Sequence, residues 1–230
     1  MIKTRILILG GSGMLGHKIL QKLCENKNFL ITCVYRNKKK ISFFQKKNVK
    51  FKKLKNNLNL KFIKTLIEEN TFDYVINCLG VIKQKNTSSK KNLFFLNTKF
   101  PKELGKFSEI YKFKLIHFST DCVFSGKKGN YEILNKPDSK DLYGVSKFEG
   151  EVLDKNCLTI RTSIIGHEIN TTNGLLEWFL SQKESCLGFN RSYFSGLTTY
   201  EIYKFLIKLI NSKKKISGIF HLSSKRISKY

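Results

Sequence analysis

The sequence predicts an α/β fold built on a doubly wound parallel sheet, and three observations carry that prediction. An apolar run, Arg5 to Leu9, breaks at Gly10-Gly11-Ser12-Gly13-Met14-Leu15-Gly16 and resumes as a helical pattern through Leu23. Apolar stretches and helical stretches then alternate, an order that calls for right-handed crossovers and helices on both faces of one sheet. Finally, the run ending in Phe118-Ser119-Thr120 is followed by Tyr143 and Lys147, four residues apart.

The first strand lacks helical period, as expected where both faces of a parallel strand are buried. Its glycines have the spacing G-x-x-G-x-x-G. Gly10 permits a tight turn, Gly13 lets backbone approach a pyrophosphate, and Gly16 lets the helix pack close to the strand, so phosphates meet the helix N-terminus. Strand before and helix after are both present, as a Rossmann-type dinucleotide site requires. Met14 and Leu15 complete the turn.

The next strand, Phe29 to Tyr35, ends in Arg36. A basic residue there accommodates the 2'-phosphate of NADPH, whereas an acidic one would bind the ribose hydroxyls of NADH. The reading is NADPH, with NADH as the other option, because a chain this basic places Lys or Arg at many positions. A short strand is expected at Val49 to Leu54, a helix at Leu60 to Glu69, and a strand at Tyr74 to Cys78. Cys78, Leu79 and Gly80 then lie at a carboxyl edge where such sheets bind ligands; Asn77 is a cofactor contact or a turn former. Leu93 to Tyr111 reads as a helix in which Pro101 marks the true start or a kink.

Phe113 to Phe118 is a strand that delivers Ser119 and Thr120 to the same edge. With a helix from Ser139 to Leu153, Tyr143 and Lys147 share a face. An ammonium beside a phenol favours the phenolate, which suits Tyr143 to exchange a proton near neutral pH. An isolated Tyr-x-x-x-Lys is ordinarily just an exposed pair; the glycine turn and Ser119-Thr120-Asp121 give it weight. Cys157 to Arg161 is the next strand, followed by Thr162-Ser163. Helices are expected at Leu175 to Leu180 and Tyr200 to Ile210, with a closing strand at Gly218 to Leu222. Trp178, the only tryptophan, walls a ligand site or is partly buried in the core. Residues 1–161 therefore read as an NAD(P)-binding domain, and residues 162–230 as a substrate-binding portion with elements returning to the sheet.

Composition narrows the class. A length of 230 residues buries a full core, and 41% hydrophobic residues suit a globular chain. No apolar run is long enough to span a bilayer, and the start ends in a glycine turn and not a cleavage site, so a cytoplasmic protein is expected. Six cysteines without C-x-x-C spacing read as reduced, and no metal ligand set is present. The net charge of +26 comes from lysines spread along the chain. Without arginine and aromatic interleaving, that charge is a solvated surface favouring anionic ligands, not a specific nucleic-acid face.

Taken together, GGSGMLG (Gly10 to Gly16), INCLG (Ile76 to Gly80), LNTKFP (Leu96 to Pro101), STDCVFSG (Ser119 to Gly126), YGVSK (Tyr143 to Lys147) and LTIRTSIIG (Leu158 to Gly166) resemble the extended short-chain dehydrogenases/reductases. Within that family the chain resembles the dTDP-4-dehydrorhamnose reductase branch. The resemblance implies reduction of the C4 ketone of a nucleotide-linked 4-keto-6-deoxy sugar in surface-polysaccharide synthesis. Tyr143 would protonate the developing alkoxide, Lys147 would bind the nicotinamide ribose, and Thr120 would hydrogen-bond the sugar oxygen. Asp121, Ser163 and Trp178 are the further substrate candidates. Relatives commonly run several tens of residues past the position of Tyr230, so a shortened substrate segment is expected; a homodimer is left open. The alternative is a non-catalytic NADP-binding subunit resembling the regulatory partner of methionine adenosyltransferase. A 4,6-dehydratase or epimerase is disfavoured by Cys122 and Val123, where dehydratases usually carry acid-base residues.

Overall fold

The computed structural model describes residues 3–35, 47–54, 58–82, 89–169, 171–212, 214–225 and 227–229. Seven parallel strands form the main sheet: β1 (Thr4–Leu9), β2 (Phe29–Tyr35), β3 (Val49–Lys53), β4 (Tyr74–Asn77), β5 (Lys114–Phe118), β6 (Cys157–Arg161) and β10 (Gly218–His221). Their spatial order is β10-β6-β5-β4-β1-β2-β3. The chain builds outward from β1 in one direction and, after β3, returns to build in the other, so the crevice between β1 and β4 is the switch point where such sheets take ligands.

Both faces are covered. The run Ile6-Leu7-Ile8-Leu9 is wholly buried because alternate residues feed two cores. Ile6 and Ile8 pack with Leu15, Ile19, Leu20 and Leu23 of α1 (Met14–Leu23) and Ile202, Leu206 and Leu209 of α7 (Thr199–Ser212). Leu7 and Leu9 pack with Ile63, Leu66 and Ile67 of α2 (Leu60–Glu68) and with Phe100, Leu104 and Phe107 of α4 (Phe100–Tyr111). Each such side chain contributes about 1.5–3 kcal/mol on leaving water. Asn59 caps α2, its Oδ1 accepting the Phe62 N–H at 2.7 Å, an arrangement typically worth about 1 kcal/mol.

Two helices differ from expectation. The helix read as starting at Leu93 begins earlier, as α3 (Lys90–Phe94), passes through a widened π-helical turn (Phe95–Lys99) and continues as α4. Pro101 stands in the first turn of α4, directly after the widened turn, and does not break the helix. A proline has no N–H to give the carbonyl four residues back and its ring crowds it; the wide turn takes up that conflict at Asn97. The helix expected over 139–153 is only α5 (Leu142–Glu149). Asp141 caps its start by accepting the Gly144 N–H at 3.0 Å, and Gly150 ends it. After β6 come β7 (Ile164–Ile165), α6 (Leu175–Leu180), β8 (Ser192–Phe194) and β9 (Leu197–Thr198), a small annex before α7 and β10 return to the main sheet; β11 (Ile227–Lys229) then pairs with β8. Among the described residues no helix is long and apolar enough to cross a membrane.

Candidate functional site

The carboxyl ends of β1, β4 and β5 converge, and the predicted turn follows directly from β1. Gly10 has φ +87°, a backbone conformation that side chains rarely tolerate, and a Cβ there would stand 3.0 Å from the Cys78 backbone at the end of β4. A Cβ on Gly16 would collide with the Gly10 carbonyl. Both positions therefore require glycine. Gly13 opens α1 with no side-chain cap, leaving the first-turn N–H groups of α1 beside Met14 and Leu15 facing outward. That cradle fits a pyrophosphate. Arg36 lies outside the described residues.

At the end of β4 the polypeptide turns through Cys78, Leu79 and Gly80. Asn77 is the turn former of the two alternatives: fully buried, its Oδ1 accepts the Leu79 N–H at 3.2 Å while Nδ2 donates to His117 Nδ1 at 3.1 Å. Burial holds the His117 pKa well below the usual histidine value, with the Lys147 charge adding to the effect. The imidazole is therefore neutral and available as an acceptor. Asn97 locks the other side of the turn, accepting the Val81 N–H at 2.9 Å and donating to the Val81 carbonyl and to Ser146 Oγ, each at 3.1 Å. Sequence reasoning missed His117 and Asn97 as site-shaping residues, although Asn97 stands inside the quoted LNTKFP motif and His117 inside the predicted strand Phe113 to Phe118.

The hydroxyl and the Tyr-Lys pair meet at the end of β5. Thr120 is 5% exposed; its Oγ1 accepts the Cys122 N–H at 3.1 Å and donates to Asp121 Oδ1 at 3.3 Å. The same Asp121 oxygen accepts Ser163 Oγ at 2.5 Å, so β5 and the segment after β6 are joined across the site. Lys147, 5% exposed, donates from Nζ to the Phe118 carbonyl at 2.6 Å.

The expectation that the ammonium would favour a phenolate is corrected. Burial pushes the Tyr143 phenol up to about 12, and its hydrogen bond with Thr120 opposes this only in part. Burial also brings Lys147 down to about 8, against the raising influence of Glu151 and Cys78. Lys147 is not among the groups that act on the phenol, so burial decides and Tyr143 is protonated at physiological pH.

The structure thus gathers Thr120, Asp121, Ser163, Tyr143 and Lys147 at one edge, with Gly80 close by: a Cβ on Gly80 would lie 3.8 Å from Lys147 Nζ. Trp178 is not buried in the core; it sits on α6 with 42% of its surface exposed. Nearby, α6 is tied down by Glu177, which meets His167 Nδ1 at 2.7 Å, and Gly174 lies against Met14 of the glycine turn. All six cysteines are free thiols, and no cluster of metal-ligating side chains occurs among the described residues.

Comparison with known proteins places this geometry. A hypothetical dTDP-4-dehydrorhamnose reductase from Sulfolobus tokodaii superposes with a TM-score of 0.80 at 25% identity, covering 98% of this chain and 78% of that one. A dTDP-4-dehydrorhamnose reductase from Bacillus anthracis in complex with NADP shares the fold at 20% identity, with a TM-score of 0.76 over 99% of this chain and 78% of that one. Two curated relatives are methionine adenosyltransferase 2 beta subunits. The one from Xenopus tropicalis is 28% identical over 64% of this chain and 41% of its own length, so less than half of that protein is matched. The one from Danio rerio is 25% identical over 98% of this chain and 71% of its own. Fitting the family model from residue 4 to residue 230, this chain belongs to the RmlD substrate binding domain family.

Proposed function

We propose that the chain is an NADPH-dependent reductase of the C4 ketone of a nucleotide-linked 4-keto-6-deoxy sugar. The observation carrying this reading is the assembly of Thr120, Tyr143 and Lys147 at the carboxyl edge of β5, beside a glycine turn that opens directly onto the N-terminus of α1. When bound, the dihydronicotinamide supplies the hydride that goes to the carbonyl carbon and is itself oxidised. Tyr143 gives its phenolic proton to the resulting alkoxide, and Thr120 holds the same oxygen. Lys147, charged below about pH 8, orients the nicotinamide ribose and stabilises Tyr143 as it loses the proton.

In this reading Gly10, Gly13, Met14, Leu15 and Gly16 hold the pyrophosphate, and Cys78, Leu79 and Gly80 border the ribose. Arg36 selects the 2'-phosphate, a preference supported by the NADP complex of the Bacillus anthracis relative. Residues 162–230 form the substrate-binding portion, with Asp121, Ser163 and Trp178 toward the sugar nucleotide. The test is NADPH oxidation followed at 340 nm with dTDP- and UDP-linked 4-keto sugars. Turnover is expected in the wild type and loss of at least about a hundred-fold in Tyr143→Phe, which keeps the ring and removes the proton.

A second reading has its own observation. The curated relatives are beta subunits of methionine adenosyltransferase 2, and a regulatory subunit of that kind would bind NADPH and leave every keto sugar untouched. Cofactor binding without turnover in the same assay would replace the reductase reading with this one.

A further inference from the structure

Behind the site lies an ion pair that takes no direct part in the chemistry above, beyond the influence of its carboxylate on Lys147. Glu151 and Arg161 have side chains only 3% and 4% exposed. Arg161 Nε donates to Glu151 Oε1 and NH2 to Oε2, both at 2.7 Å, a bidentate geometry. Burying two charges costs more than a hydrophobic pair of the same size, so such a pair is poorly explained as a stabilising device. What distinguishes it is the set of groups it reaches. Glu151 Oε1 also accepts the Ser119 hydroxyl at 2.8 Å, and Ser119 is the residue immediately before Thr120. Arg161 NH1 donates to the Ile133 carbonyl at 3.3 Å and meets His221 Nε2 of β10 at 3.3 Å. Its guanidinium lies over Phe124, 5.2 Å from the ring centroid, and Phe124 is stacked on Tyr131 at 4.3 Å.

We propose that Glu151 and Arg161 are positioning residues. The carboxylate sets the Thr120 hydroxyl through Ser119, and the guanidinium sets the 124–133 loop through Ile133 and Phe124. The backbone before Thr120 is then held at three points: the Phe118 carbonyl by Lys147, the Ser119 N–H by the Ile160 carbonyl at 2.8 Å, and the Ser119 hydroxyl by Glu151. Removing one of the three displaces a hydroxyl whose placement within a fraction of an ångström governs rate. The loop arm acts on a different quantity. It leaves Thr120 in place and alters how the polypeptide from Phe124 to Ile133 meets a ligand at the edge of β5.

This inference rests on the reductase reading for its kinetic arm, so the test carries a second readout that does not. Ser119→Ala cuts the carboxylate arm while leaving the ion pair intact, and Arg161→Lys keeps the charge while losing the planar fork. Each is compared with wild type in steady-state kinetics and in the rate at which Cys122 is alkylated, read by peptide mapping. Cys122 is exposed and its N–H is bound to Thr120 Oγ1, so its reactivity reports on that loop.

Ser119→Ala is expected to lower kcat about ten-fold with KM unchanged and to alter the Cys122 rate; Arg161→Lys is expected mainly to raise KM for the sugar nucleotide. Should Arg161→Lys not fold, Phe124→Leu tests the same arm. Wild-type kcat and Cys122 reactivity in Ser119→Ala would overturn the proposal, as would a loss of kcat with KM unchanged in Arg161→Lys. If the wild type reduces no keto sugar, the reductase reading falls by itself. The Cys122 rates then still decide whether Glu151 places the Thr120 segment.

Discussion

At the scale of single residues, the site is governed by how much water each group loses. Lys147 is brought down from 10.5 to about 8 by burial, which corresponds to a penalty on the order of 3 kcal/mol for keeping it charged. Between about pH 8 and 10.5 the unfolded chain binds more protons at this lysine than the folded one, so its contribution to stability rises with pH across that window. Tyr143, Cys33 and Cys157 are pushed up by burial and pull the other way at high pH, so the effect of Lys147 is read as a difference between proteins. Lys147→Met is expected to abolish turnover. At pH 7 it should raise stability by about 2 kcal/mol, the relieved desolvation less about 1 kcal/mol for the Phe118 carbonyl left without its donor. Urea unfolding at pH 7 and pH 10 measures this; an unchanged wild-type-minus-variant difference between the two pH values would refute it. In the active protein, turnover should decline as pH rises past about 8, following Lys147 and not the phenol.

At the scale of elements, the contact between α5 and the widened turn of the α3–α4 helix decides the placement of Tyr143 and Lys147. Thr98 Oγ1 donates to the Ser146 carbonyl at 2.7 Å, and Gly150 lies so close to the Asn97 carbonyl that a Cβ has no room. Gly150→Ala is therefore expected to destabilise the fold by about 2 kcal/mol or more through overpacking, with a matching loss of midpoint in chemical unfolding; a midpoint equal to wild type would show that the helix end shifts freely.

This contact also marks where the sequence stops being informative. The parallel strands were legible as continuous apolar runs, the glycine turn as a local spacing of glycines, and the Tyr143–Lys147 pair as the 3.6-residue period of a helix. The length of α5 was not: the Asp141 cap is local and was overlooked, while Gly150 ends the helix against Asn97 of another segment. Nor was the π-helical turn, which Pro101 signals only as a disturbance. The Glu151–Arg161 pair joins β6 to the segment that follows α5, ten residues apart, and reaches Ser119, 32 residues upstream of Glu151; no spacing in the chain announces it. The corrected phenol reaction has the same origin: the i,i+4 spacing of Tyr143 and Lys147 was visible, whereas their burial, which sets both pKa values, belongs to the assembled sheet.

At the scale of the whole molecule, charge works against the fold that the apolar strands create. With 43 basic and 17 acidic residues the net charge is +26, and compaction brings like charges together. The described ion pairs on the surface do little to offset this: Lys22–Glu25, Lys64–Glu68, Lys106–Glu103 and Lys204–Glu201 are solvent-exposed neighbours along their helices, a class worth only a few tenths of a kcal/mol each. Screening should therefore help the folded state. Raising NaCl from about 10 mM to about 150 mM shortens the Debye length from roughly 30 Å to roughly 8 Å, and the melting temperature is expected to climb over that interval and level off beyond it. The same field draws anions to the molecule, so affinity for NADPH should fall over the same salt interval while stability rises. The plateau separates general screening from occupation of a specific anion site by chloride, which would go on stabilising the fold beyond the salt at which screening is complete. A melting temperature that stays flat or falls would mean that the lysines are spaced widely enough along the chain for their repulsion to be negligible once folded.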